Sequence, residues 1–363
     1  MDVGRWGFDV FRLNTALAEL IRETIRARGP QSFAWFMQQA LYHPERGYYS
    51  SGRCAIGRKG DYFTNVSVGP LFGQLLAAQF TDIWEQLARP DDFVIVEQGA
   101  HDGRFACDVL ESLQKRGPEF FGALHYWIIE PFPLLRERQS QTLEPFRDKI
   151  EWRDSLQPFV GVHFCNELLD AMPVRLINNG TEKFVGVDGD KFVFVERPAD
   201  ENVKFNQSAL EWIADTVANL QRGYIITVDY GRSGAEFHGN LQIRARHRGL
   251  DSPFEQIGYA DITMGVDWSS IAHRAQSNGL RVAGFTDQHH FLTGIISESR
   301  DLMLESSAKI KRELQTLLHP EMLGRAFQVL ALTKNVDPAA PKLAGFKFAG
   351  GPDAALALID QSR

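Results

Sequence analysis

Cysteine is scarce in this chain of 363 residues, and the three present, Cys54, Cys107 and Cys165, stand far apart without metal-ligand spacing. That excludes a disulfide framework and a zinc site from what is expected, and it fits a reducing compartment. Excess positive charge is missing too. A formal net charge of -7 argues against a nucleic-acid partner, because phosphate binding is driven by Lys and Arg that release condensed counterions; the short basic run from Arg244 to Gly249 reads as a solvated loop. No apolar run reaches the roughly 18 residues a bilayer-spanning helix requires, so no membrane insertion is expected. The N-terminus also lacks the basic-then-apolar layout of a signal peptide. Residues 11–29 read as an amphipathic helix whose Glu19 and Glu23 suit a mitochondrial transit peptide poorly, which points to the cytoplasm.

What is present is an ordinary globular composition, 44% hydrophobic and 23% charged, without repeats or low-complexity tracts, on a chain long enough for a large core. From residue 93 onward, short β-branched or aromatic runs alternate with helix-period stretches. Strands are predicted at Phe93 to Glu97, His125 to Glu130, Lys149 to Trp152, Gly161 to Asn166, Gly223 to Tyr230, Leu280 to Phe285 and Arg325 to Lys334. The alternation implies an α/β fold with a Rossmann-like, doubly wound, mostly parallel sheet. Residues 174–197 break it with an antiparallel hairpin, signalled by Asn179-Gly180 and Asp188-Gly189, and residues 239–266 form a second insertion with little regular pattern. Three parts are expected: a helical and Gly-rich segment over 1–90, a core over 91–335 carrying both insertions, and a tail over 336–363. The N-terminal segment and the insertions are expected to cap the carboxyl edge of the sheet.

The first strand runs into a glycine turn with the spacing Glu97-x-Gly99-x-His101-x-Gly103 and then into a helix. Such a turn brings main-chain N–H groups and a helix N-terminus to the end of the strand, where ligands collect. The second strand ends on Glu130, an acid suited to accept hydrogen bonds from the ribose hydroxyls of a nucleoside; the plain alternative is a solvated carboxylate. NAD and S-adenosylmethionine both satisfy these features. Glu97 decides between them, because it would repel a pyrophosphate and suits a cationic amino-acid group, which favours S-adenosylmethionine.

The fourth strand leads into Asn166, Glu167 and Asp170. Carboxylates there could orient a guanidinium nitrogen and hold its charge away from a methyl donor, or Asn166 and Asp170 could simply cap a helical turn. Upstream, a Gly-rich loop offers Gly60, Asp61, Thr64 and Ser67 as polar contacts, and a surface loop with a capped helix explains it equally well.

The segments "FMQQALYHPERGYYS", "IGRKGDYFTNVSVGPLFGQLLA", "VEQGAHDGRFACDVL", "IIEPFPLLRERQ", "NELLDAMPV", "VDYG", "ADITMGVDW" and "QHHFLTGI" together resemble the MidA family, the methyltransferases that include the mitochondrial complex I assembly factor. These segments span roughly residues 33–296, most of the chain, in the family's order. It implies a class I S-adenosylmethionine-dependent methyltransferase fold with seven strands, the last antiparallel, and a protein arginine acceptor, with a respiratory-complex subunit as one such partner. It assigns Glu97, Gly99 and Gly103 to the cofactor loop, Glu130 to the acid after the second strand, Asn166, Glu167 and Asp170 to the catalytic segment, and Gly60, Asp61 and Thr64 to the upstream loop. His101 stands where the family has its middle glycine. A side chain at positive φ there carries strain and must fit beside the cofactor, or its imidazole hydrogen-bonds the cofactor carboxylate. Two alternatives accompany this reading: a degenerate, non-catalytic binding scaffold, and an NAD-dependent oxidoreductase.

Overall fold

In the computed structural model, residues 4–54, 64–246, 248–299 and 307–358 are described. The chain divides into two compact units, one built from residues 1–63, 171–211 and 239–264 and the other from 64–170, 212–238 and 265–363. Residues 64–90, grouped by sequence with the N-terminal segment, belong to the second unit.

All seven expected strands form in the larger unit: β1 (Phe93–Gln98), β2 (Leu124–Ile129), β3 (Ile150–Arg153), β4 (Phe159–Asn166), β5 (Leu220–Arg232), β6 (Arg281–Asp287) and β7 (Phe327–Lys334). The near-continuous burial of β1, β4 and β7 is what strands covered on both faces require. Their order is β6-β7-β5-β4-β1-β2-β3. The pairs from β5 through β3 are parallel, while β7 runs antiparallel to both β5 and β6. A two-residue strand, Val266–Asp267, adds an eighth along β5. The sheet is therefore mixed: β7 alone of the seven runs antiparallel, as the family resemblance implies, and the short added strand is what the expectation of seven lacked. Strand order reverses at β1, between β2 and β4, and there the carboxyl ends of these strands leave a crevice in which ligands bind.

Helix Leu71–Gln86 and helix α1 (Arg104–Arg116) cover the sheet. Phe105 stacks on Phe164 of β4 with ring centroids 4.5 Å apart, and Phe80 closes edge-on against both. Such aromatic pairs add about 1 kcal/mol beyond the area they bury. The C-terminal segment also packs: Phe346 lies buried against Phe291, and a Cβ at Gly284 would meet its ring at 2.3 Å.

In the smaller unit the predicted hairpin is a three-stranded antiparallel ribbon, Leu176–Asn178, Thr181–Asp188 and Lys191–Pro198. Its first turn uses Asn179 and Gly180 at φ 47° and 75°, the left-handed pair a tight hairpin requires. The second insertion is more regular than its sequence indicated, because Leu241–Ala245 pairs antiparallel with Asp261–Met264. Its short strands mix polar and apolar residues, so the two-residue period is weak.

Candidate functional site

The turn after β1 is left-handed three times, at Gly99 (φ 84°), His101 (φ 47°) and Gly103 (φ 80°). Histidine therefore occupies a conformation in which glycine carries no strain. Gly103 is the residue before α1, and a Cβ there would lie 3.3 Å from Gln139 Cα and 3.1 Å from Leu143 Cδ1. Its glycine thus lets helix α2 (Pro133–Thr142) close on the turn. At Gly99 a Cβ would lie 3.4 Å from Leu168 Cδ1, so the turn faces the loop that follows β4.

Glu97, 4% exposed, accepts a hydrogen bond from Tyr126 Oη at 2.6 Å. Burial pushes its carboxyl up to about 7, against the lowering effect of the tyrosine. Glu130, 5% exposed, accepts from the main-chain N–H of Phe132 at 3.0 Å and from Gln139 Nε2 at 3.1 Å. Burial raises its pKa as well. It is a fixed, internally hydrogen-bonded acid and not the solvated carboxylate of the plain alternative. Gln139 itself is fully buried; Nε2 also donates to the His101 carbonyl at 3.1 Å, and Oε1 accepts from Trp152 Nε1 at 2.9 Å.

Beyond β4, no helix follows, so the capping reading of Asn166 and Asp170 falls. The relation is reversed: Oδ2 of Asp229 accepts the N–H groups of Leu168, Leu169 and Asp170 at 3.1, 2.8 and 3.2 Å, and Oδ1 accepts that of Tyr230 at 2.7 Å. Asp229 is fully buried at the end of β5, and burial raises its carboxyl against these four N–H donors. Glu167 stands at φ 54° and donates its own N–H to Val228 O at 2.9 Å. Asn166 Nδ2 donates to Glu167 Oε1 at 2.9 Å, and Asn65 Nδ2 donates to Asn166 Oδ1 at 2.9 Å. Since a carboxylate only accepts, this chain fixes both amide orientations. Among the described residues it leaves the Oδ1 of fully buried Asn65 without a partner, an acceptor with room for one further donor.

Of the upstream loop, Gly60 and Asp61 lie outside the described residues. Thr64 is buried and forms a capping box with Ser67, so it shapes the loop, and Asn65 beside it is the residue that reaches β4. Asn65, Gln139 and Asp229 were missed by sequence reasoning. Gln139 did leave a signal, a polar residue between buried Leu135 of α2 and Leu143 just past its end, at helical spacing. A groove of about 670 Å³ lined by Thr81, Asp82, Arg116 and Lys347 opens by the far end of α1 and takes no part in this arrangement.

Comparison with known proteins covers much of the same part of the chain. Residues 75–286 match a family model described as "Putative S-adenosyl-L-methionine-dependent methyltransferase". The protein arginine methyltransferase NDUFAF7 homolog of Drosophila melanogaster is 25% identical over 88% of this chain and 85% of its own length. Human NDUFAF7, also named as a protein arginine methyltransferase, is 25% identical over 85% of this chain and 81% of its own. A crystal structure from Burkholderia thailandensis, bound to S-adenosyl-homocysteine, superposes with a TM-score of 0.86 at 28% identity, over 95% of this chain and 98% of that one. The expectation of a cytoplasmic protein is overturned by the first two, which are named as mitochondrial. Glu19 and Glu23 lie in the helix Gly4–Arg28, where Glu19 pairs with Arg22 and Arg26 at the surface, and such charges carry no address.

Proposed function

Because the chain belongs to the MidA family of S-adenosylmethionine-dependent methyltransferases, we propose that it methylates the guanidinium of an arginine in a protein acceptor. The cofactor supplies a methyl group activated on a sulfonium, and the residues of this chain suit what remains to be done. Glu97 is a buried carboxyl with no cationic partner among the described residues, which makes it the complement of the cofactor's ammonium. Glu130, already fixed by Phe132 and Gln139, is the acceptor for the ribose hydroxyls. The His101 carbonyl accepts a hydrogen bond from Gln139 in its left-handed turn, which supports a turn that keeps its shape around the histidine. Membership of the family removes the oxidoreductase alternative.

The observation that carries the arginine reading is the chain from Asn65 through Asn166 to Glu167. It ends in a half-buried carboxylate held by the Asn166 amide, an acceptor suited to the several N–H groups of a planar cation. Held on one side by Glu167, the guanidinium keeps its charge away from the nitrogen presented to the methyl group. The protein acceptor is supported by the names of the Drosophila and human relatives. A respiratory-complex subunit, the acceptor the family resemblance implies, is the first to try.

Incubation with methyl-labelled cofactor and arginine-containing acceptors, read by mass spectrometry of the modified residue, tests this. Glu167→Gln is expected to lower transfer about 100-fold, the scale of one transition-state contact, with S-adenosylhomocysteine affinity nearly unchanged. Undiminished transfer would remove Glu167 from its role, and label on lysine alone would sink the arginine reading. A protein silent to S-adenosylhomocysteine in calorimetric titration would be the non-catalytic scaffold.

A further inference from the structure

The fully buried amide of Gln139 is hydrogen-bonded on all sides by groups that belong to different parts of the crevice. Its Oε1 must face Trp152, because an indole N–H donates only. That fixes Nε2 toward the other side, where its two hydrogens go to the His101 carbonyl and to Glu130 Oε2, each at 3.1 Å. Helix α2 reaches this depth because Gly103 presents no Cβ to Gln139. One side chain therefore joins the glycine turn after β1 to the acid after β2.

We propose that Gln139 is a positioning residue for S-adenosylmethionine, setting the separation between the turn that receives the amino-acid end of the cofactor and the carboxylate that receives its ribose. This rests on the reading of Glu97, Gly99 and Glu130 as the cofactor site. The amide works in two ways. By taking the His101 carbonyl it holds a non-glycine residue at φ 47°, a conformation that a left-handed L-residue keeps only when its surroundings fix it. By donating to Oε2 of Glu130 it turns the carboxylate and helps keep it ionised inside a buried site that would otherwise neutralise it. Phe132 N–H occupies the other oxygen, and each oxygen retains a lone pair for a ribose hydroxyl. The charged groups nearest Glu130 are Arg136, whose Nε donates to its carbonyl, and His101; Arg136 is in turn drawn to Asp154. None of these replaces the neutral, directional contact of the amide.

Two variants of the whole chain test the inference by calorimetric titration with S-adenosylhomocysteine from pH 5.5 to 8.5, with thermal melts as a control for folding. Gln139→Met keeps length and packing but removes both donors. It is expected to weaken binding at least about tenfold at pH 7.5, the loss of one to two charge-assisted bonds, and to weaken it further toward acid pH as Glu130 takes up a proton. Gln139→Glu keeps the acceptor for Trp152 but sets an oxygen against Glu130. Measured against the unsubstituted protein at the same pH, its binding should be poorest at high pH and recover as pH falls and one O–H donor returns, a slope opposite to that of Gln139→Met. A merely structural role would not reverse that slope. If the folded Met variant binds with the affinity of the unsubstituted protein at every pH, or if the Glu variant shows no recovery in acid, the inference is overturned. Should the unsubstituted protein itself fail to bind, the cofactor-site reading fails and takes this one with it; binding in the unsubstituted protein with loss confined to the variants supports both.

Discussion

The two sides of the crevice solve one conformational problem with opposite chemistry. Each carries a non-glycine residue in the left-handed region, His101 at φ 47° after β1 and Glu167 at φ 54° after β4, and each turn is held by a buried polar side chain from another element. On the first side the clamp is neutral and donates: Gln139 gives its N–H groups to a carbonyl and a carboxylate. On the second it is acidic and accepts: Asp229 gathers four main-chain N–H groups on its two oxygens. A neutral clamp is indifferent to pH by itself. An acidic one weakens whenever it is protonated, so the loop bearing Asn166 and Glu167 is the side whose geometry depends on a buried charge.

The largest effect expected from breaking this comparison falls on the acidic clamp. Asp229→Ala leaves four N–H groups without their acceptor in a buried site, each costing roughly 1 to 3 kcal/mol if no water replaces it. A loss of more than about 3 kcal/mol in urea unfolding is expected, together with collapse of transfer. A loss near zero would mean that the loop is held by its packing and that the carboxylate is incidental.

Next in size is a pH effect at Glu97, whose carboxyl burial raises from 4.5 to about 7. Between these values the folded protein binds a proton that the unfolded chain has released, so this contribution is fully present below about 4.5 and is lost as pH rises from there through about 7. The difference corresponds to on the order of 3 kcal/mol, and Glu97→Gln should flatten that part of the stability curve. Cofactor binding should run the other way. If Glu97 meets an ammonium, S-adenosylhomocysteine affinity increases from pH 6 to 8 in the unsubstituted protein and not in Glu97→Gln. Parallel curves for the two proteins would leave the buried acid without a part in binding.

How much of this was legible in the sequence follows from which interactions are local. All seven strands were readable because each is a short apolar or β-branched run between turn signals, and the turn at residues 99–103 was readable because left-handed positions leave glycines behind. Mixed pairing at β7 was not written in any residue of β7; it followed only from the family resemblance. Asn166 and Glu167 were placed by the end of β4, whereas the partners that orient them, Asn65 and Asp229, are distant in sequence and unremarkable in composition. Asp229 lay within a quoted motif, "VDYG", yet nothing local says that its carboxylate reaches three N–H groups some sixty residues away. Capping was open to Asp170 beside catalysis, from residue type alone, and the loop, having no helix to cap, places the Asp170 N–H on Asp229 instead.

The smallest effect sharpens the comparison most, because it isolates strain from chemistry. His101→Gly relieves a left-handed L-residue, worth about 1 to 2 kcal/mol at most and less for histidine, while it adds the unfolded-chain freedom of glycine, which offsets roughly 0.5 to 1 kcal/mol. The Gln139 contact is to the carbonyl of residue 101, which glycine retains. A change in stability below about 1 kcal/mol is therefore expected in urea unfolding, with S-adenosylhomocysteine affinity within about threefold, a change of the same small size. The imidazole is half-buried with Nδ1 3.7 Å from Asp102 Oδ1, so any contact it makes with the cofactor carboxylate would appear as loss of affinity in the glycine variant. A tightening of tenfold or more would instead mean that the side chain, and not the backbone, had been obstructing the crevice, and that the first side of the site is compromised where the second is merely strained.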